Sequence, residues 1–440
     1  ENGEEWHTVD QTEALIIETI DRHREEILEF ARDIYSHAEL GYKEFQTSGK
    51  FVKKMEQLGL RTEKGFAITG VKAYLNEDKK GNASLALLGE LDALCIPEHA
   101  FANPETNAAH CCGHHAQMAG VFGAALALTV PEIAEKLDGQ VVFFATPAEE
   151  YGEIEFKNQL REQGKIRYGG GKCELLRIGA FDDIDLCLTH HIRPGNEILV
   201  GSGTGNGFVS KVIRVLGKAS HAAGAPEKGV NALSAASLGL QALGLNRETF
   251  RDEDCVRVHP IITKGGNLVN VIPDEVVVET LVRGKTIEAF TDAAKKTDRS
   301  FKAGAIAMGA KVEISTLPGY LPTLAEEALP ELKHAAEISA SGIPVIEASG
   351  HAGGSTDVGD VQHLMPVYTF NTGGVKGGLH QIDFEVTDEE EAYIVTAKMF
   401  ALAAYGLLKE KAQRSRELVD QYEPVFKNSA EYVEFMEQFD

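Results

Sequence analysis

The chain has 440 residues, 43% of them apolar, which is enough for a sizeable core and for two or three domains. A formal charge of −24 repels phosphate backbones and anionic lipids, so neither nucleic acid nor a membrane is an expected partner, although a local site can still take an anionic small molecule. Six cysteines, two of them adjacent, are too sparse for a disulfide scaffold and point to free thiols in a reducing, cytoplasmic compartment; no apolar run reaches the roughly 18 residues of a membrane span, and the acidic start ENGEEWHTVDQ lacks a signal-peptide pattern.

Spaced apolar positions (Leu15, Ile16, Ile20, Ile27, Leu28, Phe30, Ala31) predict a helix over 10–34 with one buried stripe, and a second helix is expected over 46–58. GVKAYL and SLALLGEL read as strands, and the Ala-, Gly-, Val- and Phe-rich stretch 114–128 reads as a helix buried on most sides. VVFFATP at 141–147 and DLCLTHHI at 185–192 read as fully buried strands. Strands alternating with helices imply an α/β fold with a largely parallel sheet. From 204 the rhythm changes. A strand at 207–216, a helix at 230–245, strands at 255–263 and 275–283, a helix at 286–308 and a strand at 310–316 give the order β-α-β-β-α-β of a ferredoxin-like unit. The domains expected are therefore 1–203 with 318–440, and an inserted α+β unit over 204–317. The tail from 409 reads as charged and helical.

Four short segments carry the chemistry. In HCCGHH at 110–115, Cys112 and His114 flank a glycine at the start of the buried helix, a compact thiolate–imidazole pair suited to zinc and neighbouring transition metals. In PAEE at 147–150, Glu149 and Glu150 sit at the C-terminal end of a buried strand, where open α/β sheets place their sites; one can bind metal while the other takes a proton from water. His191 ends another buried strand, and His380 closes GGLH at 377–380. A lone histidine is more often structural than a ligand, but Cys112, His114, Glu150, His191 and His380 together make a first shell for two ions. Asp92, in GELDAL, ends a strand and is placed to orient a ligand from behind.

These segments resemble motifs of the aminoacylase/carboxypeptidase G superfamily of metallopeptidases, in the amidohydrolase branch of indole-acetyl-amino-acid, hippurate and p-aminobenzoyl-glutamate hydrolases. HAELGYKE at 37–44, GELDAL, HCCGHH, PAEE, HHIRP, GKASHAAGAPEKGVNAL at 217–233, GGNLVNVIPDE at 265–275 and GGSTD at 353–357 follow the family's order over nearly the whole chain. The resemblance implies a zinc-peptidase-like catalytic domain with a mixed, largely parallel sheet and a ferredoxin-like lid that also dimerises. It implies two divalent ions per subunit (zinc or manganese, with cobalt or nickel as alternatives), bridged by Cys112. Glu149 would be the general base, His221 would stabilise the oxyanion, often across a homodimer or higher homo-oligomer, and Asn270 would hold the substrate carboxylate or that oxyanion. His115 stands where relatives carry Asp or Asn, Glu90 where they carry Asp or, further off, His, and Cys111 is atypical.

The activity expected is metal-dependent hydrolysis of the amide bond in a small substrate with a free carboxylate. Gly353, Gly354, Ser355 and His115 join Asn270 as expected substrate contacts, the glycine–serine segment through backbone N–H groups that can hold a carboxylate. Hydrolytic deamination of an aromatic amine or amidine at the same ions is the alternative. A non-catalytic metal-dependent binding protein is a third reading, and retention of Glu149 argues against it.

Overall fold

The computed structural model describes residues 9–439; the acidic start over 1–8, on which the absence of a signal pattern was read, lies outside them. Asp10 opens the first helix, Gln11–Arg22, through a capping box: its carboxylate accepts the amides of Thr12 and Glu13, and Glu13 accepts the Asp10 amide. The single helix expected over 10–34 is two, because the chain leaves helical geometry at His23 before Arg24–Ser36 begins. Ile16, Ile20, Ile27 and Ala31 enter the same core across that break, which is why one periodicity covered both.

An eight-stranded sheet follows, in the order Arg61–Phe66, Gly70–Leu75, Gln140–Thr146, Ser84–Glu90, Leu186–Ile192, Val367–Thr372, Ile198–Val200, Val345–Glu347. Its four central strands, Gln140–Thr146 to Val367–Thr372, pair in parallel, while Arg61–Phe66, Gly70–Leu75 and Ile198–Val200 join antiparallel neighbours, so the sheet is mixed. Arg61–Phe66 is invisible to hydrophobic patterning, since RTEKGF at an exposed sheet edge has no apolar face. Both inner strands, Ser84–Glu90 and Gln140–Thr146, are buried at every position, as continuous apolar runs require in a sheet covered on both faces. Parallel pairing brings the ends of three strands, and the segments Glu90–Asp92, Pro147–Glu150 and His190–His191, to one edge of the sheet.

Helix His114–Leu128 is buried along its whole length. Its glycines permit that: a Cβ on Gly120 would lie 2.5 Å from Thr396 Cγ2, and one on Gly123 2.5 Å from Ala397 Cβ, so this helix packs tightly on the start of the stretch Thr396–Gln421, which is two helices parted where Lys409–Ala412 leave helical geometry. That stretch belongs to a longer one, Glu390–Gln421, long and apolar enough to cross a membrane, but 89% of its apolar window is buried inside the fold.

Two compact units divide the chain. The first holds the described residues to Gly203, with 324–350 and 361–431; the second holds 204–323, 351–360 and 432–439. Thus 318–323, 351–360 and 432–439, expected in the first unit, belong to the second. Asp360 explains much of this: its carboxylate accepts the Leu321 amide at 3.1 Å and the Tyr432 hydroxyl at 2.8 Å. In the second unit the strands stand in the order Arg257–Val258, Glu275–Gly284, Gly207–Leu216, Lys311–Pro318, with Ile261–Lys264 also on Glu275–Gly284. All pairs are antiparallel, and helices Ala232–Asn246 and Ile287–Met308 supply side chains to the same small core. The strand expected over 255–263 is two short pieces, interrupted at His259–Pro260, because proline cannot donate to the ladder.

Candidate metal centre

Cys112 lies in the loop between the short strand Ala108–Ala109 and helix His114–Leu128. Gly113 makes this turn possible: its φ is +84°, and a Cβ there would fall 2.0 Å from Ile192 Cγ2. The loop presents the Cys112 sulfur to two histidines, with His191 Nε2 at 3.3 Å and His380 Nε2 at 3.2 Å. His380 comes from a turn tied down by its own amide, which donates to the Cys111 carbonyl at 2.9 Å. Glu150 Oε1 is 3.3 Å from His380 Nε2.

His114 and His191 are oriented by main-chain carbonyls. His114 Nδ1 donates to the Asp92 carbonyl at 2.9 Å, and His191 Nδ1 to that of Ile192 at 2.8 Å. A carbonyl can only accept, so both neutral rings carry their proton on Nδ1 and present a bare Nε2 to the centre, as a metal ligand must. His114 Nε2 and Glu150 Oε1 are buried without a hydrogen-bond partner.

Asp92 acts on the carboxylate pair as well. Its two oxygens accept the amides of Glu149 at 3.1 Å and Glu150 at 2.9 Å. That grip fixes the main chain of the turn after the strand. The turn is strained at Ala148, with φ +48°. Two features hold it. The Ala148 amide donates to Glu44 Oε1 at 2.8 Å, and Gly171 packs so closely that a Cβ would lie 1.6 Å from the Pro147 carbonyl oxygen. Burial, reinforced by the Asp92 charge, pushes the Glu44 carboxyl up to about 8. Glu44 was visible only inside the HAELGYKE motif, with no role attached; its signal was a carboxylate in a family segment with no site chemistry of its own.

The donors fall into three groupings, each with one atom per residue within 4.8 Å of the others: Cys112, His114 and His191; Cys112, Glu150 and His380; and Glu90, His114 and Glu149. The donor set fits divalent ions. Burial, then the charge of Glu150, drives the Cys112 thiol well above its ordinary range. A divalent cation at the sulfur reverses that balance and deprotonates it. Around His114 burial favours the neutral ring, yet the charge of Glu90 wins and raises its pKa, the mark of a site rich in negative charge that calls for a cation.

His115 does not join the centre. It is fully buried: Nε2 meets the Tyr393 hydroxyl at 3.1 Å and the ring packs on Tyr35 at 4.7 Å. Burial, with His114 nearby, lowers it to about 3. A ring enclosed in this way has no face for a substrate, so the contact expected of it is replaced by a packing role. Cys111 is also turned away, its thiol donating to the Ala109 carbonyl at 3.3 Å.

The other expected residues lie in the second unit. His221 and Asn270 stand on neighbouring segments: His221 bridges to Val271, and the Ala222 amide donates to the Asn270 carbonyl at 2.9 Å. His221 is exposed, and its Nδ1 accepts the amides of Ala223 at 3.2 Å and Gly224 at 3.0 Å. Its neutral ring therefore carries the proton on Nε2, where it can donate outward. Gly353 and Gly354 are exposed; their carbonyls accept the Asn206 side-chain and main-chain N–H groups. Ser355 Oγ accepts from Arg283 Nη1 at 2.6 Å. Sequence reading missed Arg283, whose position in an alternating strand gave no reason to single it out.

Ion-sized groups of thiolate, imidazole and carboxylate at the carboxyl edge of an α/β sheet, beside a carboxylate pair split by a shared anchor, define a metal-dependent hydrolase. The chain belongs to Peptidase family M20/M25/M40, whose model matches residues 86–405, and is a hydrolase of C–N bonds. It is 28% identical over 412 residues to an Xaa-Arg dipeptidase of Mus musculus, covering 90% of this chain and 85% of that protein. It is 30% identical over 272 residues to an IAA-amino acid hydrolase of Arabidopsis thaliana, covering 60% of this chain and 56% of that one. A dinuclear metal-binding peptidase of the M20 family from Bacillus subtilis shares its fold, with a TM-score of 0.62 at 24% identity over 88% of this chain and 99% of the other.

Proposed function

We propose that the protein hydrolyses the amide bond of a small substrate with a free carboxylate, an N-acyl or N-aroyl amino acid, a dipeptide or a p-aminobenzoyl-glutamate-like compound. The observation that carries this reading is the Asp92 clamp, which holds the main chain of Glu149 and Glu150 at the donor groups, with Glu150 Oε1 3.3 Å from His380 Nε2. Glu150, Cys112 and His380 would hold one ion, and Cys112, His114 and His191 the other. The thiolate and imidazoles favour zinc, with manganese, cobalt or nickel admissible. Two divalent ions, when bound, polarise the scissile carbonyl and make water a competent nucleophile at neutral pH. Glu149, 8% exposed at the centre's edge, takes the water's proton and passes it to the departing nitrogen. The new C–O bond forms first, placing the negative charge on the former carbonyl oxygen, and the C–N bond then breaks as that oxygen reforms the carbonyl, releasing a carboxylate and an amine. The Nε2–H of His221 is the oxyanion donor, a role worth about 3 kcal/mol in comparable sites. Asn270 and the Gly353–Gly354–Ser355 segment, now with Arg283 beside Ser355, are the groups that take the substrate carboxylate.

A metal-loaded screen of N-acyl amino acids, dipeptides and folate fragments, read by amine release, tests the reaction. Esterifying the carboxylate of the best substrate is expected to lower kcat/KM by about 100-fold or more, since these donors lose their charged partner. Esters cleaved as fast as free acids, or ammonia as the released amine, would overturn the substrate class.

We also propose that the second unit pairs two copies in a homodimer or higher homo-oligomer. Support comes from its exposed apolar side chains: Ile261 is 62% exposed, Leu268 65%, and Val269 fully so, around the edge strand Ile261–Lys264. Light scattering at assay concentration is expected to give at least twice the chain mass; a fully active monomer would exclude the pairing.

A further inference from the structure

A buried ion pair lies directly behind the centre and has no part in the mechanism above. Lys172, on the helix Gly171–Arg177, is fully buried, and its ammonium lies 2.6 Å from Glu90 Oε1. Glu90 ends the strand Ser84–Glu90 and is 3% exposed. Gln117, on the buried helix, grips it at two points: the Glu90 amide donates to Gln117 Oε1 at 2.8 Å, and Gln117 Nε2 donates to Glu90 Oε2 at 2.8 Å. The carboxylate is thereby locked with Oε2 only 3.1 Å from His114 Nε2.

That distance needs an explanation. Because Nδ1 of His114 donates to the Asp92 carbonyl, the neutral ring turns a lone pair toward Glu90, and Nε2 has no hydrogen-bond partner in a fully buried place. A ring nitrogen and a carboxylate oxygen 3.1 Å apart in a dry site need a cation between them, a proton or a metal ion, and the spacing of the surrounding donors is that of ligands on one metal ion. Nitrogen and oxygen ligands about 2.0–2.2 Å from one ion stand roughly 3–3.5 Å apart. Cys112 Sγ to His191 Nε2, at 3.3 Å, and Glu150 Oε1 to His380 Nε2, at 3.3 Å, have the same spacing. Glu90, His114 and Glu149 also form a donor grouping of their own.

We propose that Glu90 is a carboxylate ligand of the ion held by His114, and that Lys172 and Gln117 are the positioning residues that aim it. Lys172 has a second consequence. Its charge cancels that of Glu90, so the extra ligand raises the coordination number without adding net negative charge to a site that already holds a thiolate and two further glutamates. The inference rests on the two-ion reading of the centre.

The test is metal binding by the full-length protein, loaded with Co2+ and measured by elemental analysis, chelator competition and the visible absorption of cobalt. Wild type is expected to hold two equivalents. Glu90→Gln, which keeps shape and removes charge, is expected to weaken one equivalent by more than about 100-fold and to alter the cobalt spectrum. Lys172→Met, acting through Glu90, should weaken the same equivalent by about 10–100-fold, the range usual for an outer partner. Glu90→Gln takes the Glu90 charge away from the buried Lys172 ammonium, which can prevent folding. The double variant Glu90→Gln/Lys172→Met removes both charges and should fold while still lacking the tight equivalent. If the single or double variant binds two ions with wild-type affinity and an unchanged spectrum, Glu90 is not a ligand, although the two-ion reading survives. If wild type itself takes up no cobalt, both readings fall.

Discussion

Glu149→Gln is expected to fold, to keep its metal and to lose turnover by roughly 10²–10⁴-fold, the range a positioned general base supplies. Its place in the turn depends on the main-chain N–H donated to Asp92, and glutamine keeps that bond. Glutamine matches the shape of glutamate but cannot accept the water's proton. The neighbouring residue should behave oppositely. Glu150 shares its grouping with Cys112 and His380, so Glu150→Gln is expected to lose metal first and activity as a consequence. Elemental analysis beside kcat for both variants separates the roles. A Glu149→Gln enzyme with wild-type kcat would mean that the base lies elsewhere, and metal loss in that variant would make Glu149 chiefly a ligand.

The candidate donors were legible in the sequence because each sits where an apolar run stops. Cys112 and His114 open a buried helix, Glu150 and His191 end buried strands, and parallel pairing of those strands brings the ends together. What sequence patterning could not supply was the direction in which a side chain points. His114 and His115 are adjacent letters of one motif, but successive residues on a helix diverge by about 100°. One consequently faces the donors and the other enters the core beside Tyr393. The same blindness hid the supports. Glu44 and Lys172 lie far from the centre in sequence and inside glycine-rich or mixed segments, and their importance follows from a strained turn and a buried carboxylate that only the fold creates. The chain's divisions were similarly half-visible. The β-α-β-β-α-β order marks the inserted unit, whereas the return of 351–360 and 432–439 to it depends on contacts such as Asp360 with Leu321 and Tyr432, made across more than local distances.

Cys112→Ala is expected to lose at least one equivalent of bound metal and, with it, nearly all activity. The sulfur is the donor shared by two groupings, facing His191 at 3.3 Å and His380 at 3.2 Å from separate parts of the chain. A single thiolate between two cations offsets their mutual repulsion, so its removal should weaken both sites and release the less tightly held ion. Alanine leaves only a small gap at a position already 7% exposed, so the fold should persist and the loss should be read as a binding effect. The adjacent thiol provides the control. Cys111 donates to the Ala109 carbonyl and packs in the core, so Cys111→Ala should change stability without changing metal content. Elemental analysis of both variants after dialysis against a weak chelator decides between them: full stoichiometry in Cys112→Ala, or loss in Cys111→Ala instead, would transfer the bridge to the other sulfur or remove cysteine from the centre altogether.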